Sequence, residues 1–330
     1  MSYPHLLADI GGTNARFAIE TAHGKCETIA VLQCSEYPTI SAAIRTYLTS
    51  APPILAGAQI IQKAGIAIAN PVHGDLIKMT NHDWSFSISA VQAEFNLSTL
   101  LVMNDFNALA MALPHLDEHQ KYQCGQGEPQ HQSVIGLLGA GTGLGVSGLI
   151  HTNNGWVALE SEGGHASFSP ANRREIAILE YALEQYAHVS MERLLSGAGL
   201  RLIYNALASL RNVAFDDLEP PDIMARGLSN QCPLCREVLN TFCEILGTAA
   251  SNLALTLGTK GGIYIGGGIV PRLGDFFIES PFRQRFEQKG RFSSYLQEIP
   301  TFVITDPYPA FIGVSALLTP ESYMKAKQRG

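Results

Sequence analysis

Along the first hundred residues the apolar positions fall into short runs, each stopped by glycine or a polar turn. Residues 6–10 form one such run, halted by Gly11 and Gly12. Residues 16–20 and 27–33 follow at tight-turn distance, which predicts that the chain opens as a three-stranded meander. Residues 40–48 have helical spacing after Pro38 and Thr39, residues 64–69 read as a strand, and residues 91–95 as a short helix. Residues 100–103 read as a buried strand that ends on the polar pair Asn104 and Asp105. Strands alternating with helices predict an α/β sheet whose strand ends carry loops.

Near Pro114 the pattern changes, and the polar stretch 118–132, rich in Gln, His and Gly, reads as a surface connection at a domain boundary. A second apolar strand, 134–138, leads into another glycine-rich turn, with 146–150 as its hairpin partner, so the strand, glycine turn, strand unit occurs twice. Helical runs follow at 175–186, 199–210 and 236–257. Residues 262–265 return to strand and end on Gly266, Gly267 and Gly268, and residues 307–318 read as a final helix.

Composition adds scale to this pattern. With 330 residues, 46% hydrophobic and 15% charged, the chain can bury a large core and suggests two domains. A net charge of -7 and a pI near 5.8 leave no basic stripe for a phosphate backbone, which argues against nucleic acid and for a small-molecule partner. No cationic N-terminal segment leads into a long apolar run, and no stretch is uninterrupted enough to cross a bilayer, so the expected location is cytoplasmic. Six cysteines, at positions 26, 34, 124, 232, 235 and 243, are too irregular for a disulfide framework. Cys232 and Cys235 have the spacing of half a zinc site but lack two further ligands, and Cys243 sits in an apolar helical run.

The glycine clusters carry the candidate chemistry. Asp9-Ile10-Gly11-Gly12-Thr13-Asn14 lies between two strands, where glycines expose backbone N–H groups and Thr13 and Asn14 add side-chain donors, a cradle suited to phosphate oxygens. Gly139-Ala140-Gly141-Thr142-Gly143-Leu144-Gly145 repeats this after a second apolar strand, and Gly266-Gly267-Gly268 precedes Ile269 and a helix. Each alone reads first as a tight hairpin; three together, all at strand ends, shift the reading toward phosphate binding. The P-loop pattern is absent, since Gly24-Lys25 is followed by Cys26. The dinucleotide fingerprint fails where Leu144 replaces its third glycine, and the protein-kinase signatures are missing.

Polar residues surround these turns. Asp105, at the C-terminal end of a strand, is placed for a general base or for capping the helix that begins near Phe106. Glu160-Ser161-Glu162-Gly163-Gly164-His165 sets an acid and a histidine about two glycines, able to wrap a polyol or to be held structurally. Glu192 follows Ser190 at a helix start, where the helix dipole alone would favour it.

Taken in order, Leu6-Leu7-Ala8-Asp9-Ile10-Gly11-Gly12-Thr13-Asn14-Ala15-Arg16, Met103-Asn104-Asp105-Phe106, the second glycine turn, Glu162-Gly163-Gly164-His165, Glu192-Arg193-Leu194-Leu195-Ser196-Gly197 and Gly266-Gly267-Gly268-Ile269-Val270-Pro271 resemble the bacterial glucokinases of the hexokinase, actin and chaperone ATPase superfamily. The resemblance runs nearly end to end, with Ala8 standing where relatives often carry glycine. It implies an α/β, two-domain actin-like (ribonuclease H-like) fold around an interdomain cleft, with residues 1–110 plus 307–330 as the small domain and 111–306 as the large one. It further implies ATP-dependent phosphorylation of glucose at its 6-hydroxyl, with Asp105 as base. Asn104, Asp105, Glu162, His165 and Glu192 would hold the sugar. Ala8, Asp9, Ile10, Gly11, Gly12, Thr13, Gly139, Gly141 and Thr142 would hold phosphates, and Gly266, Gly267, Gly268 and Ile269 would border the adenosine. Asp9 would bind Mg²⁺ through water, and the chain would form a homodimer.

An actin-like or chaperone ATPase shares the glycine turns but lacks Glu-Gly-Gly-His, and kinases for other hexoses remain within the pattern. A repressor is disfavoured because no helix-turn-helix precedes the turn at residue 9, and a sugar sensor without turnover because Asp105 is present.

Overall fold

The computed structural model describes residues 3–50, 61–80, 82–212 and 216–318. The chain divides into two compact units, one of residues 1–116, 152–156 and 307–330, the other of residues 117–151 and 157–306.

The first unit is built on a five-stranded sheet of order β3-β2-β1-β4-β7. Strands β1 (His5–Ile10), β2 (Asn14–Ala22) and β3 (Lys25–Gln33) form the antiparallel meander, and β4 (Lys63–Ile68) and β7 (Thr99–Asn104) run parallel to β1. A small hairpin, β5 (Leu76–Lys78) and β6 (Ser85–Ser87), stands apart from the sheet. β1 is mostly apolar because both its faces are covered, with His5 and Asp9 its two polar members. Leu6, Ala8 and Ile10 join one core cluster with Ile44, Tyr47 and Trp84, whereas Leu7 joins Ala108, Phe311 and Val314 on the other face. Period-2 alternation therefore sends Asp9 toward the face carrying helices Asp105–Ala112 and Pro309–Leu317. Those helices meet at glycine contact: a Cβ on Gly313 would lie 1.7 Å from the Ala108 carbonyl oxygen.

The second unit repeats the topology. Its six-stranded sheet has the order β11-β10-β9-β12-β13-β8, with β9 (Ile135–Ala140) and β10 (Leu144–Thr152) antiparallel and β12 (Ile263–Gly266) and β13 (Thr301–Ile304) parallel to β9. β11 (Gly155–Leu159) forms one edge and β8 (Lys121–Cys124) the other. Helices Arg173–Leu183, Gly197–Leu210 and Pro233–Leu257 supply most of the remaining core. The Cys232 thiol accepts the Cys235 N–H at 3.4 Å as the cap of the long helix, and Gly258, in the left-handed region at φ +67°, ends it. Cys243 is buried.

Two expectations need correction. The stretch 118–132 is not wholly a connection, because residues 121–124 pair antiparallel with β13; Tyr122 and Cys124 face the core and leave Lys121 and Gln123 outward, an alternation too short to stand out. The helix after β7 is capped chiefly by Asn104, whose Oδ1 accepts from Phe106 N–H at 2.9 Å and Asn107 N–H at 3.1 Å. Among the described residues no helix is long and apolar enough to cross a membrane.

Candidate active site

In the first unit, register brings the candidates together. Ile10, Ile68 and Asn104 stand abreast at the C-terminal ends of the three parallel strands. Beyond Ile10 the chain turns tightly, the Gly11 N–H meeting the Asn14 carbonyl at 2.9 Å and the Thr13 carbonyl accepting the Cys34 N–H at 2.8 Å. Gly12 is half-buried and Thr13 exposed, while Ala8 is fully buried within β1. Asp9 faces Arg16 across the ladder, with Arg16 Nη1 donating to its Oδ2 at 2.9 Å. Burial raises the Asp9 pKa against the opposing pull of that guanidinium.

Asp105 follows β7 directly. Its Oδ1 accepts both the Phe106 N–H at 2.8 Å and the Asn104 amide at 3.1 Å, whereas its Oδ2 receives no donor among the described residues. Burial first, and repulsion from Asp9 second, push the Asp105 pKa up to about 6, against the hydrogen bonds from Phe106 and Asn104. The Asn104 amide also reaches the Asn70 carbonyl at 3.5 Å, and the Asn70 side chain holds the Thr80 N–H at 3.0 Å. Asn70 was not singled out from sequence; an asparagine before proline in a loop gives no signal of this support.

In the second unit the other two glycine clusters meet. Gly266 lies level with Gly139 in the parallel β9–β12 pair. The Ile269 N–H reaches the Ala140 carbonyl at 3.2 Å, and a Cβ on Gly141 would lie 3.9 Å from the Gly268 nitrogen. Gly267 needs its φ of +82°, and a Cβ there would come within 2.3 Å of the Ala140 carbonyl oxygen. Thr142 is exposed at the tip of the β9–β10 turn. The Gly141 N–H is held by the Gly143 carbonyl at 2.8 Å, so the turn is fixed in shape, as backbone concavities that hold phosphate oxygens are.

Glu162, His165 and Glu192 gather next to that turn. His165 Nε2 is 3.9 Å from Glu162 Oε2, and His165 Nδ1 is 3.9 Å from Glu192 Oε1, beyond a direct hydrogen bond and close enough for one hydroxyl set to the side to bridge either pair. Side-chain exposures of 82% for Glu162, 61% for His165 and 32% for Glu192 leave all three accessible to a ligand. Gly164 permits the approach, since a Cβ there would lie 2.0 Å from the Leu144 carbonyl oxygen. Glu192 stands in helix Met191–Leu194, capped by Ser190, and its Oε2 accepts the Leu144 N–H at 3.0 Å.

Two sheets of one topology, each headed by a glycine turn, define the two-domain actin-like ATPase fold, and the acid and histidine side chains beside the second turn are what a sugar kinase adds to it. Its solved counterparts include a glucokinase from an Antarctic psychrotroph, with a TM-score of 0.88 and 34% identity, covering 96% of this chain and 99% of that one. The chain belongs to the Glucokinase family, whose family model matches residues 6–321. It is 54% identical over 317 residues to a glucokinase of Chromobacterium violaceum, covering 96% of this chain and 90% of that relative. It is 53% identical over 317 residues, again 96% of this chain, to a bifunctional protein of Paraburkholderia xenovorans, of which it spans only 49%.

Proposed function

We propose that this enzyme transfers the γ-phosphoryl group of ATP to the 6-hydroxyl of glucose, with Asp105 accepting the hydroxyl proton. The observation that carries the assignment of the base is the division of labour within its carboxylate. Oδ1 takes the hydrogen bonds of Phe106 and Asn104 and no other described residue donates to Oδ2, so one oxygen fixes the group while the other receives a proton. A pKa near 6 leaves Asp105 mostly ionised at neutral pH yet more basic than an ordinary carboxylate.

Asn104, Glu162, His165 and Glu192 would hold the sugar hydroxyls, the acids accepting, the imidazole donating and the Asn104 amide exchanging its long 3.5 Å bond to the Asn70 carbonyl for one to the sugar. Ala8 to Thr13, with Gly139, Gly141 and Thr142, would present backbone donors to the phosphates, and Gly266 to Ile269 would border the adenosine. Positioning of in-line reactants and stabilisation of charge on the phosphoryl oxygens then supply most of the rate.

Mg²⁺ fits the donor set. Among the described residues no group of three or more His, Cys, Asp or Glu side chains is arranged to hold a metal, but Mg²⁺ typically takes one or two carboxylates plus substrate phosphates and water. Asp9 offers Oδ1, which no donor among the described residues engages, while Oδ2 is held by Arg16. When bound, the ion would neutralise charge on the phosphates. The same reading includes the hexokinase, actin and chaperone superfamily, the domain limits 1–110 plus 307–330 and 111–306, a cytoplasmic location and a homodimer, the last checked by sedimentation velocity.

The primary test is a coupled assay of ADP release with ATP and Mg²⁺, with and without glucose and then with competing hexoses. Glucose-dependent release with formation of glucose 6-phosphate is expected. Activity with another hexose alone would change the substrate, and sugar-independent release would point to an ATPase.

A further inference from the structure

Glu192 touches two things at once. Its Oε2 accepts the Leu144 N–H at 3.0 Å, and Leu144 closes the β9–β10 glycine turn, the proposed phosphate cradle. Its Oε1 faces His165 Nδ1 across 3.9 Å, beyond hydrogen-bond reach, so that oxygen is open to a ligand. The contact with the turn is tight: a Cβ on Gly143 would stand 2.5 Å from Oε2, so glycine at that position is what lets the carboxylate in. A second link, from Gly197 N–H to the Gly141 carbonyl at 2.9 Å, ties the other side of the turn to the chain just beyond Glu192. The turn is thus held at both ends by residues 192–197, once through backbone and once through a side chain.

We infer that Glu192 is a positioning residue for the phosphate turn as well as a sugar contact, so that one carboxylate couples the two substrates within this unit. The inference rests on the kinase reading above. Without the acceptor on Leu144 N–H, the turn loses one of its two anchors and its donors are less ordered before nucleotide arrives. A sugar that fixes Oε1 also fixes Oε2, and by thermodynamic reciprocity a sugar-dependent gain in nucleotide affinity must be matched by an equal nucleotide-dependent gain in sugar affinity.

The test measures nucleotide binding with no sugar present, where a mere sugar contact has nothing to contribute. The full chain is titrated calorimetrically with a non-hydrolysable β,γ-imido analogue of ATP and Mg²⁺. Glu192→Met, similar in shape but without an acceptor, is expected to weaken binding about five- to tenfold. Glu192→Gln keeps an acceptor for Leu144 N–H and is expected to stay within about twofold of the unsubstituted chain, although both variants lose the sugar-facing charge. Gly143→Ala, whose methyl displaces Oε2, should behave as Glu192→Met does, and it decides the matter against Glu192→Gln if the Met variant fails to fold by circular dichroism. Equal analogue affinity in the Met variant and the unsubstituted chain overturns the inference, as does a Gln variant that falls with Met. An unsubstituted chain that binds no analogue overturns the kinase reading and the inference with it.

Discussion

Asn104 donates its amide to the carboxylate of Asp105 at 3.1 Å while its own oxygen caps the helix that Asp105 begins. The cap and the proposed base are therefore adjacent residues with separate tasks, and Asp105 can be changed without uncapping the helix. Asp105→Ala is expected to lower kcat by about 10² to 10⁴ while sugar affinity falls less. Steady-state kinetics with glucose checks this, and near-normal turnover would remove Asp105 from the mechanism.

The acid limb of the pH–rate profile should report the same group. A base must be ionised to act, so kcat falls as pH drops through the raised Asp105 value of about 6. Because repulsion from Asp9 contributes to that rise, Asp9→Asn should shift the residual activity's acid limb to lower pH. A limb left unmoved would assign it to another group.

Stability should move in the opposite sense to activity. A folded-state carboxyl pKa above its ordinary value of 3.8 means the native state binds the proton more tightly than the unfolded chain. The cost of the buried charge is then absent below the ordinary value, grows between it and about pH 6, and is complete above. Asp105→Asn is expected to stabilise the protein at pH 8 by on the order of 1 to 2 kcal/mol, with the gain vanishing near pH 4. Urea unfolding at the two pH values measures it.

Gly267→Ala should damage the nucleotide side. The substitution meets both an unfavourable φ of +82° and the Ala140 carbonyl at 2.3 Å, costing about 1 to 3 kcal/mol. The KM for ATP should rise more than that for glucose; an equal rise in both would indicate general misfolding.

Far from these turns, the fully buried Glu20 accepts from Ser315 at 2.5 Å and the Gly24 N–H at 3.0 Å, and its Oε2 lies 2.9 Å from His5 Nδ1. Burial, the largest single influence, would raise its pKa, but the hydrogen bonds from His5, Ser315 and the Gly24 N–H, with the attraction of His5, together lower it. Glu20 therefore contributes stability that is present above its ordinary value of 4.5 and is lost as pH falls through the lower folded value. Glu20→Ala, which strands His5 and Ser315, is expected to cost about 2 to 4 kcal/mol at pH 7 by denaturant unfolding.

Sequence by itself determined the local parts of this protein. The two strand, glycine turn, strand units, the apolar runs of β1 and β9 and the strand ending on Asn104-Asp105 are written in neighbouring residues, where period and turn chemistry are decisive. So is the family, because its motifs are contiguous stretches. Tertiary structure alone decided what lies far apart in the chain. It decided that residues 121–124 close a sheet edge by pairing with Thr301–Ile304, and that Gly313 admits the Ala108 carbonyl. It also decided that Asp9 repels Asp105, and that Glu192 seats itself on the Leu144 amide. These depend on which faces and strand ends meet when the chain packs, and a partner 48 or 96 residues away leaves no periodic trace in the sequence around either residue.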